Sequence, residues 1–123
     1  MKAASIVLSL CALCACSAPA TRPDTQWQAY QAQVSHDEQE GKLKPSEAQH
    51  RLHDGWVNIY GEDGIMTGFF AYSETLLRSA EQGRLDMAEA KQLVAMRERS
   101  AWKEYQDLQR RRQQVAGPDY DRW

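Results

Sequence analysis

The sequence predicts an all-α chain folded as an antiparallel four-helix bundle, and three observations carry that prediction. Beyond the first two dozen residues there is little period-two alternation and no run of β-branched residues, the signals of strands. Strong helix formers (Ala, Leu, Gln, Glu, Lys and Arg) dominate instead. Breaks centred on Gly41, on the stretch 61–64 and on Gly83 divide the chain into four segments. In each segment the apolar residues recur at spacings of three, four and seven, which place them on one side of a helix.

The first segment covers residues 24–40, with Trp27, Tyr30 and Val34 on one face. Gly41-Lys42-Leu43-Lys44 breaks it. The second opens at Pro45, a residue suited to a first helical turn because its missing N–H has no helical partner there. Its stripe is Ala48, Leu52, Gly55, Trp56 and Ile59, and Gly55 on the buried side permits close helix approach. After the turn Gly61-Glu62-Asp63-Gly64, the third segment carries Ile65, Met66, Phe69, Phe70, Ser73, Leu76, Leu77 and Ala80. Asp86 is placed to cap the fourth segment, with Glu89 at the capping-box position. The fourth stripe is Met87, Ala90, Val94, Ala101, Tyr105 and Leu108.

Burial turns these segments into a fold. One helical hairpin cannot cover both its stripes, whereas two hairpins can pack stripe to stripe with short turns between antiparallel neighbours. The two hairpins also resemble each other. Gly41-Lys42-Leu43-Lys44-Pro45-Ser46-Glu47-Ala48 aligns with Gly83-Arg84-Leu85-Asp86-Met87-Ala88-Glu89-Ala90 at an offset of 42 residues. The same offset pairs Ala29-Tyr30 with Ala71-Tyr72, Trp27 with Phe69, and Val34 with Leu76. A duplicated hairpin retains such matches, and convergent turn chemistry also produces them, since glycine ends many helices and Glu opens many others.

The start of the chain is of another kind. Met1 and Lys2 precede an apolar run from Ala3 to Ala15, a positive start followed by a short apolar stretch with small residues at its end. That is the pattern of a secretory signal, and the run is too short to span a bilayer, which takes about 20 apolar residues. The expected organisation is a signal peptide over 1–15, a tether over 16–25 with Pro and small polar residues, a helical bundle over 26–116, and a tail over 117–123. The three cysteines, Cys11, Cys14 and Cys16, all lie in or beside the signal. Cleavage before Cys16 leaves a domain without free thiols or internal disulfides, which removes thiol catalysis and Cys-ligated zinc. Removing Lys2 leaves 14 basic against 17 acidic residues, a net of −3, a poor balance for neutralising nucleic-acid phosphates.

Leu13-Cys14-Ala15-Cys16 resembles the bacterial lipobox: an aliphatic residue, a variable one, a small one, then the lipidated cysteine. Cys14 stands where Ser, Ala or Thr is more usual. The resemblance implies a diacylglycerol on the Cys16 sulfur, cleavage after Ala15, and a fatty acyl group such as palmitate on the new amine. Ser17 after the cysteine, rather than Asp, implies sorting to the outer membrane, facing the periplasm. The alternative is plain secretion with cleavage after Ala18-Pro19-Ala20. The Gly-basic-Leu-x-x-x-Glu-Ala turns also resemble the SHOCT module, a short helical segment linked to oligomerisation.

No arrangement for catalysis stands out. There is no Gly-x-Ser-x-Gly and no Gly-rich phosphate loop before a helix, and Glu62 and Asp63 sit in a turn too short for a calcium loop. His50 and His53 have a spacing that can chelate a metal, and an antiparallel hairpin brings His36 to the level of His50. The helical wheel turns His36 and His50 outward and leaves His53 on the flank, so no metal site is expected. Arg110-Arg111-Arg112 suits either an anionic surface or the negative end of a helix dipole. With Glu98, Glu104 and Asp107 interspersed, the expected reading is a mixed, salt-bridged helix surface. Met66, Phe69, Phe70 and Tyr72 are expected in the core, the sharper alternative being a groove for a partner helix.

These observations lead to an expected function: a membrane-anchored, non-catalytic accessory lipoprotein of the bacterial envelope, held by Cys16, without a cofactor, that binds an envelope protein. A periplasmic small-ligand or metal binder, or an immunity-type inhibitor of a periplasmic enzyme, is the alternative.

Overall fold

The computed structural model describes residues 22–115, which form four α-helices: α1 (Pro23–Gln39), α2 (Pro45–Tyr60), α3 (Met66–Glu81) and α4 (Met87–Val115). The expected signal, the lipobox with Cys16, and the tail 117–123 lie outside the described residues. Among the described residues there is no strand, and no helix is long and apolar enough to cross a membrane. α1 packs on α2, α2 on α3 and α3 on α4, as in an up-down-up-down bundle. The expected tether, 16–25, gives up its last three residues to α1, which opens at Pro23. Proline takes the first helical position, and Asp24 in the first turn meets the positive end of the helix dipole.

The two glycine turns have one geometry. Gly41 at φ 75° and Gly83 at φ 77° occupy the left-handed region, where a Cβ is strained. At the first, the N–H of Gly41 donates to Glu38 O and that of Lys42 to Asp37 O, at 3.0 and 2.9 Å. At the second, Gly83 donates to Ala80 O and Arg84 to Ser79 O, again at 3.0 and 2.9 Å. Both are Schellman ends, which satisfy carbonyls that the helix leaves without partners.

The caps that follow differ. Asp86 Oδ2 accepts the N–H of Glu89 at 3.1 Å, as expected of its position before α4. Lys44 makes no side-chain cap for α2. Glu81, at the end of α3, supplies one: its two oxygens accept the Ser46 N–H at 2.9 Å and the Ser46 hydroxyl at 2.6 Å.

Trp56 of α2, 0% exposed, is the hub of the core. Its ring meets Trp27 of α1 edge-on at 5.2 Å, Phe70 of α3 at 6.2 Å, and Trp102 and Tyr105 of α4 at 5.5 and 5.2 Å. Its Nε1 donates to Asp63 Oδ2 at 2.9 Å. The other Asp63 oxygen accepts the N–H groups of Met66 at 2.8 Å and Thr67 at 3.3 Å, so Asp63 caps α3 and ties it to the hub. Met66, Phe69 and Phe70 are buried as expected, but Tyr72 is 44% exposed and stands outside the core. Two positions after Phe70, it has turned about 200° around the helix.

Gly55 answers to its expected role. A Cβ there would sit 2.2 Å from the Tyr30 ring, whose hydroxyl donates to Arg51 O at 2.6 Å. The missing side chain lets α1 seat an aromatic ring against the α2 backbone.

Candidate functional site

α1 and α4 do not pack backbone on backbone, so the bundle is open along one seam. The chemistry of the facing side chains explains why. α1 presents Gln28, Gln31, Ser35 and Glu38 to the seam, and α4 presents Glu98, Trp102, Gln106, Gln109 and Gln113. Amides and carboxylates gain little by leaving water, so no hydrophobic force draws the two helices together.

The seam is a groove in two parts. One, about 510 Å³, lies between Glu38 and Glu98 on the two rims, with Val34, Leu52, Phe69 and Phe70 lining its apolar side. The other, about 480 Å³, runs toward the start of α1, where Asp24, Tyr60, Trp102, Tyr105 and Gln109 line it. Trp27 and Trp102 border both parts. Among the described residues neither part is lined by a lysine or an arginine, while Asp24, Glu38 and Glu98 contribute acid. Two polar atoms at the seam, Trp27 Nε1 and Gln49 Oε1, are buried without a hydrogen-bond partner among the described residues. A buried donor or acceptor left unmatched costs about 1–3 kcal/mol.

The aromatic end of the groove is held by phenol hydrogen bonds. Tyr60 donates to Asp24 Oδ1 at 2.6 Å, joining the end of α2 to the start of α1. Burial and that hydrogen bond push the Tyr60 phenol well above its usual range. Burial also raises Tyr105. Both hydroxyls stay protonated at neutral pH, and that of Tyr60 is the donor to Asp24.

The three histidines stand on separate partners. His36 in the last turn of α1 pairs with Glu40, the residue that caps that helix, at 2.9 Å. His50 reaches Glu74 on α3 at 3.2 Å and Asp54 at 3.4 Å. His53 stacks on Phe70, with ring centroids 6.3 Å apart. Among the described residues, no group of three or more His, Cys, Asp or Glu side chains is arranged to hold a metal ion. Glu74 also pairs with Arg78. Burial pushes the Glu74 carboxyl up, but the hydrogen bonds and charges of His50 and Arg78 outweigh it and hold the group below its ordinary value.

On α4 the expected lattice of salt bridges contracts to one ion pair among the described residues, Arg110 with Asp107. Asp107 is also four residues from Lys103, but it turns toward Arg110. The arginines 110–112 are all exposed.

The groove was legible in part. Sequence reasoning reads one stripe on α4, through Ala101, Tyr105 and Leu108, and passes over a second. Glu98, Trp102, Gln106, Gln109 and Gln113 also follow spacings of three and four, as do Gln28, Gln31, Ser35 and Glu38 on α1. Two polar-aromatic stripes at helical spacing were the available signal. The expected core patch at Phe69 and Phe70 also lines the groove, so core and groove share those two rings.

Compared with family models, curated proteins and solved structures, the chain matches none of them.

Proposed function

We propose that this chain is a membrane-anchored, non-catalytic accessory lipoprotein of the bacterial envelope, held by acyl chains on Cys16 at the outer membrane and facing the periplasm. Its α1/α4 groove binds an envelope protein. The observation that carries the reading is the open seam itself: a channel with an aromatic and apolar floor, polar and acidic rims, and no lysine or arginine lining it among the described residues. A groove of this kind suits an apolar segment flanked by lysine or arginine, inserted between two helices. Each acyl methylene buried in the membrane contributes about 0.8 kcal/mol, so two or three chains give a durable anchor.

The test is in-cell crosslinking of the tagged full-length chain, in three forms beside the wild type. Ala32→Arg places a bulky cation in the groove at an exposed helical position. Cys16→Ala removes the lipid acceptor. Ala88→Arg adds the same charge to an exposed position of α4 away from the groove. One partner captured by wild type and Ala88→Arg, and lost with Ala32→Arg and Cys16→Ala, supports the proposal. Equal capture by Ala32→Arg removes the groove from the interface.

A second reading, a small-ligand binder, draws support from the 510 Å³ cavity and the unmatched Trp27 Nε1 beside it. Cavities of roughly 300–1,000 Å³ suit small molecules. Quenching of tryptophan fluorescence by a panel of apolar amides, abolished in Ala32→Arg, would favour it over the protein partner.

A further inference from the structure

We propose that the α4 end carrying Arg110, Arg111 and Arg112 is a contact for anionic phospholipid, docking this end of the bundle onto the leaflet that holds the Cys16 lipid. The proposal rests on the reading of Cys16 as the anchor.

The geometry begins with topology. In an up-down-up-down bundle the start of the first helix and the end of the last lie at one end of the molecule. Gln109 and Gln113 of α4 border the same cavity as Asp24 in the first turn of α1. The three arginines lie between those glutamines, level with the place where the chain leaves α1 toward Cys16. From Arg22 to Cys16 is six peptide steps, a span of at most about 21 Å when fully extended. A segment of this length lets the arginines come within the Debye length of about 8–10 Å over which a charged surface is felt at physiological salt.

The exposure of the cluster adds a second argument. Consecutive helical residues turn about 100° each, so three in a row sweep about 200° around the axis. All three are exposed, and the remaining arc of α4 at this level carries the half-buried Gln109 beside the cavity. Among the described residues Arg111 and Arg112 have no ion-pair partner, while Arg110 is paired with Asp107. A helix dipole accounts for Arg112 in the last turn of α4. It does not account for Arg110 and Arg111, which lie before it.

Among the described residues, three acids near this end have partners other than Arg111 and Arg112. Asp24 accepts from Tyr60, Asp63 from Trp56 and the α3 backbone, and Asp107 from Arg110. Among the described residues, Glu62, exposed in the α2–α3 turn, adds a further acid at this level.

The test uses the mature, lipidated chain. Its native cysteines are confined to positions 11, 14 and 16, so Val115→Cys supplies a single free thiol for a fluorophore at the exposed end of α4. The protein is placed in nanodiscs of phosphatidylcholine alone, or with 3 parts in 10 phosphatidylglycerol, each carrying a headgroup nitroxide quencher. Intact mass is read first. A chain without acyl groups that begins at Thr21 overturns the anchor reading, and the docking proposal with it. For a lipidated chain, quenching is expected to rise with phosphatidylglycerol and to fall back in 0.5 M salt, where the Debye length is about 4 Å. Arg110→Gln/Arg111→Gln/Arg112→Gln is expected to lose the rise, and the triple lysine variant to keep it. Arg111 and Arg112, the two outside the Asp107 pair, give on the order of 30-fold in docked over undocked population. Quenching that ignores lipid charge and salt in the lipidated wild type overturns the docking and leaves the anchor standing, and it does so whether or not the glutamine variant folds.

Discussion

At Gly41 and Gly83 the chain makes the same turn twice, with matching left-handed glycines and matching Schellman hydrogen bonds, yet the helices that follow are held differently. The second junction is self-sufficient, since Asp86 caps the helix that it precedes. The first is completed from outside its own hairpin, by Glu81 reaching Ser46. A backbone turn is a local property of glycine and its neighbours, while a cap can be borrowed from any element that packs nearby. Further along, the repeat diverges more. Ala48 and Ala90 are both buried, but the position of Trp56 in the first hairpin corresponds to Glu98 in the second. α2 lies between α1 and α3 and is buried on both sides, so it carries the hub. α4 lies backbone to backbone against α3 alone and reaches α2 through the rings of Trp102 and Tyr105, and another of its faces borders the groove.

The hub gives the largest expected contrast. Trp56→Ala should cost about 3–5 kcal/mol, by loss of aromatic contacts to three helices and exposure of the unpaired Asp63 carboxylate. Glu98→Ala, at the corresponding position, should stay within about 0.5 kcal/mol of wild type. Urea unfolding followed by circular dichroism measures both. Equal losses would mean that the two hairpins share the core evenly.

The caps come next. Glu81→Ala leaves the Ser46 N–H and hydroxyl without their partners at a 4% exposed residue, an expected loss of about 2 kcal/mol. Asp86→Ala removes a local cap and should cost about 1 kcal/mol. Melting temperatures in parallel rank them, and hydrogen exchange should show the Glu81 variant opening the start of α2, away from the substituted residue.

The turns themselves should be indistinguishable. Gly41→Ala and Gly83→Ala meet no atoms within 4 Å, so each carries only the left-handed backbone penalty of about 1 kcal/mol. A difference above about 0.5 kcal/mol in denaturant unfolding would show that the surroundings treat the two turns unequally.

The smallest effect is the pH dependence of the α2–α3 clasp. Glu74 titrates below its ordinary value of 4.5 in the folded protein, so its ionised form is favoured by folding. Its contribution is present above pH 4.5 and is lost as pH falls through the lowered folded value. Glu74→Gln should flatten the acid limb of stability against pH in that window and change little at neutral pH. The exposed His50 and Arg78 partners keep the effect small. An unchanged acid limb would show that the clasp does not contribute.

Much of the fold could be read without coordinates, because its determinants act over a few residues. Glycine breaks, Pro45 at a helix start, Asp86 before another, and apolar residues at three and four each express a local rule. The same rules understated α4, where the Trp102 stripe beside the Tyr105 stripe was passed over. A helix that packs with one face and lines a groove with another carries two patterns, and a single-stripe reading keeps the more apolar one. The histidines have separate partners: His36 pairs with Glu40, His50 with Glu74, and His53 stacks on Phe70.

By itself the sequence determined the helical class, the three breaks, the faces that turn inward and a shared turn geometry, because each follows from backbone preference or from burial along one helix. Tertiary structure alone decided that Trp56 is the hub, that Glu81 completes a distant helix start, and that the α1/α4 seam stays open. Those outcomes depend on which side chains meet across elements far apart in the chain. Four amphipathic helices can close on every side or leave one seam unsealed, and the balance of apolar gain against amide and carboxylate desolvation at that seam sets the choice.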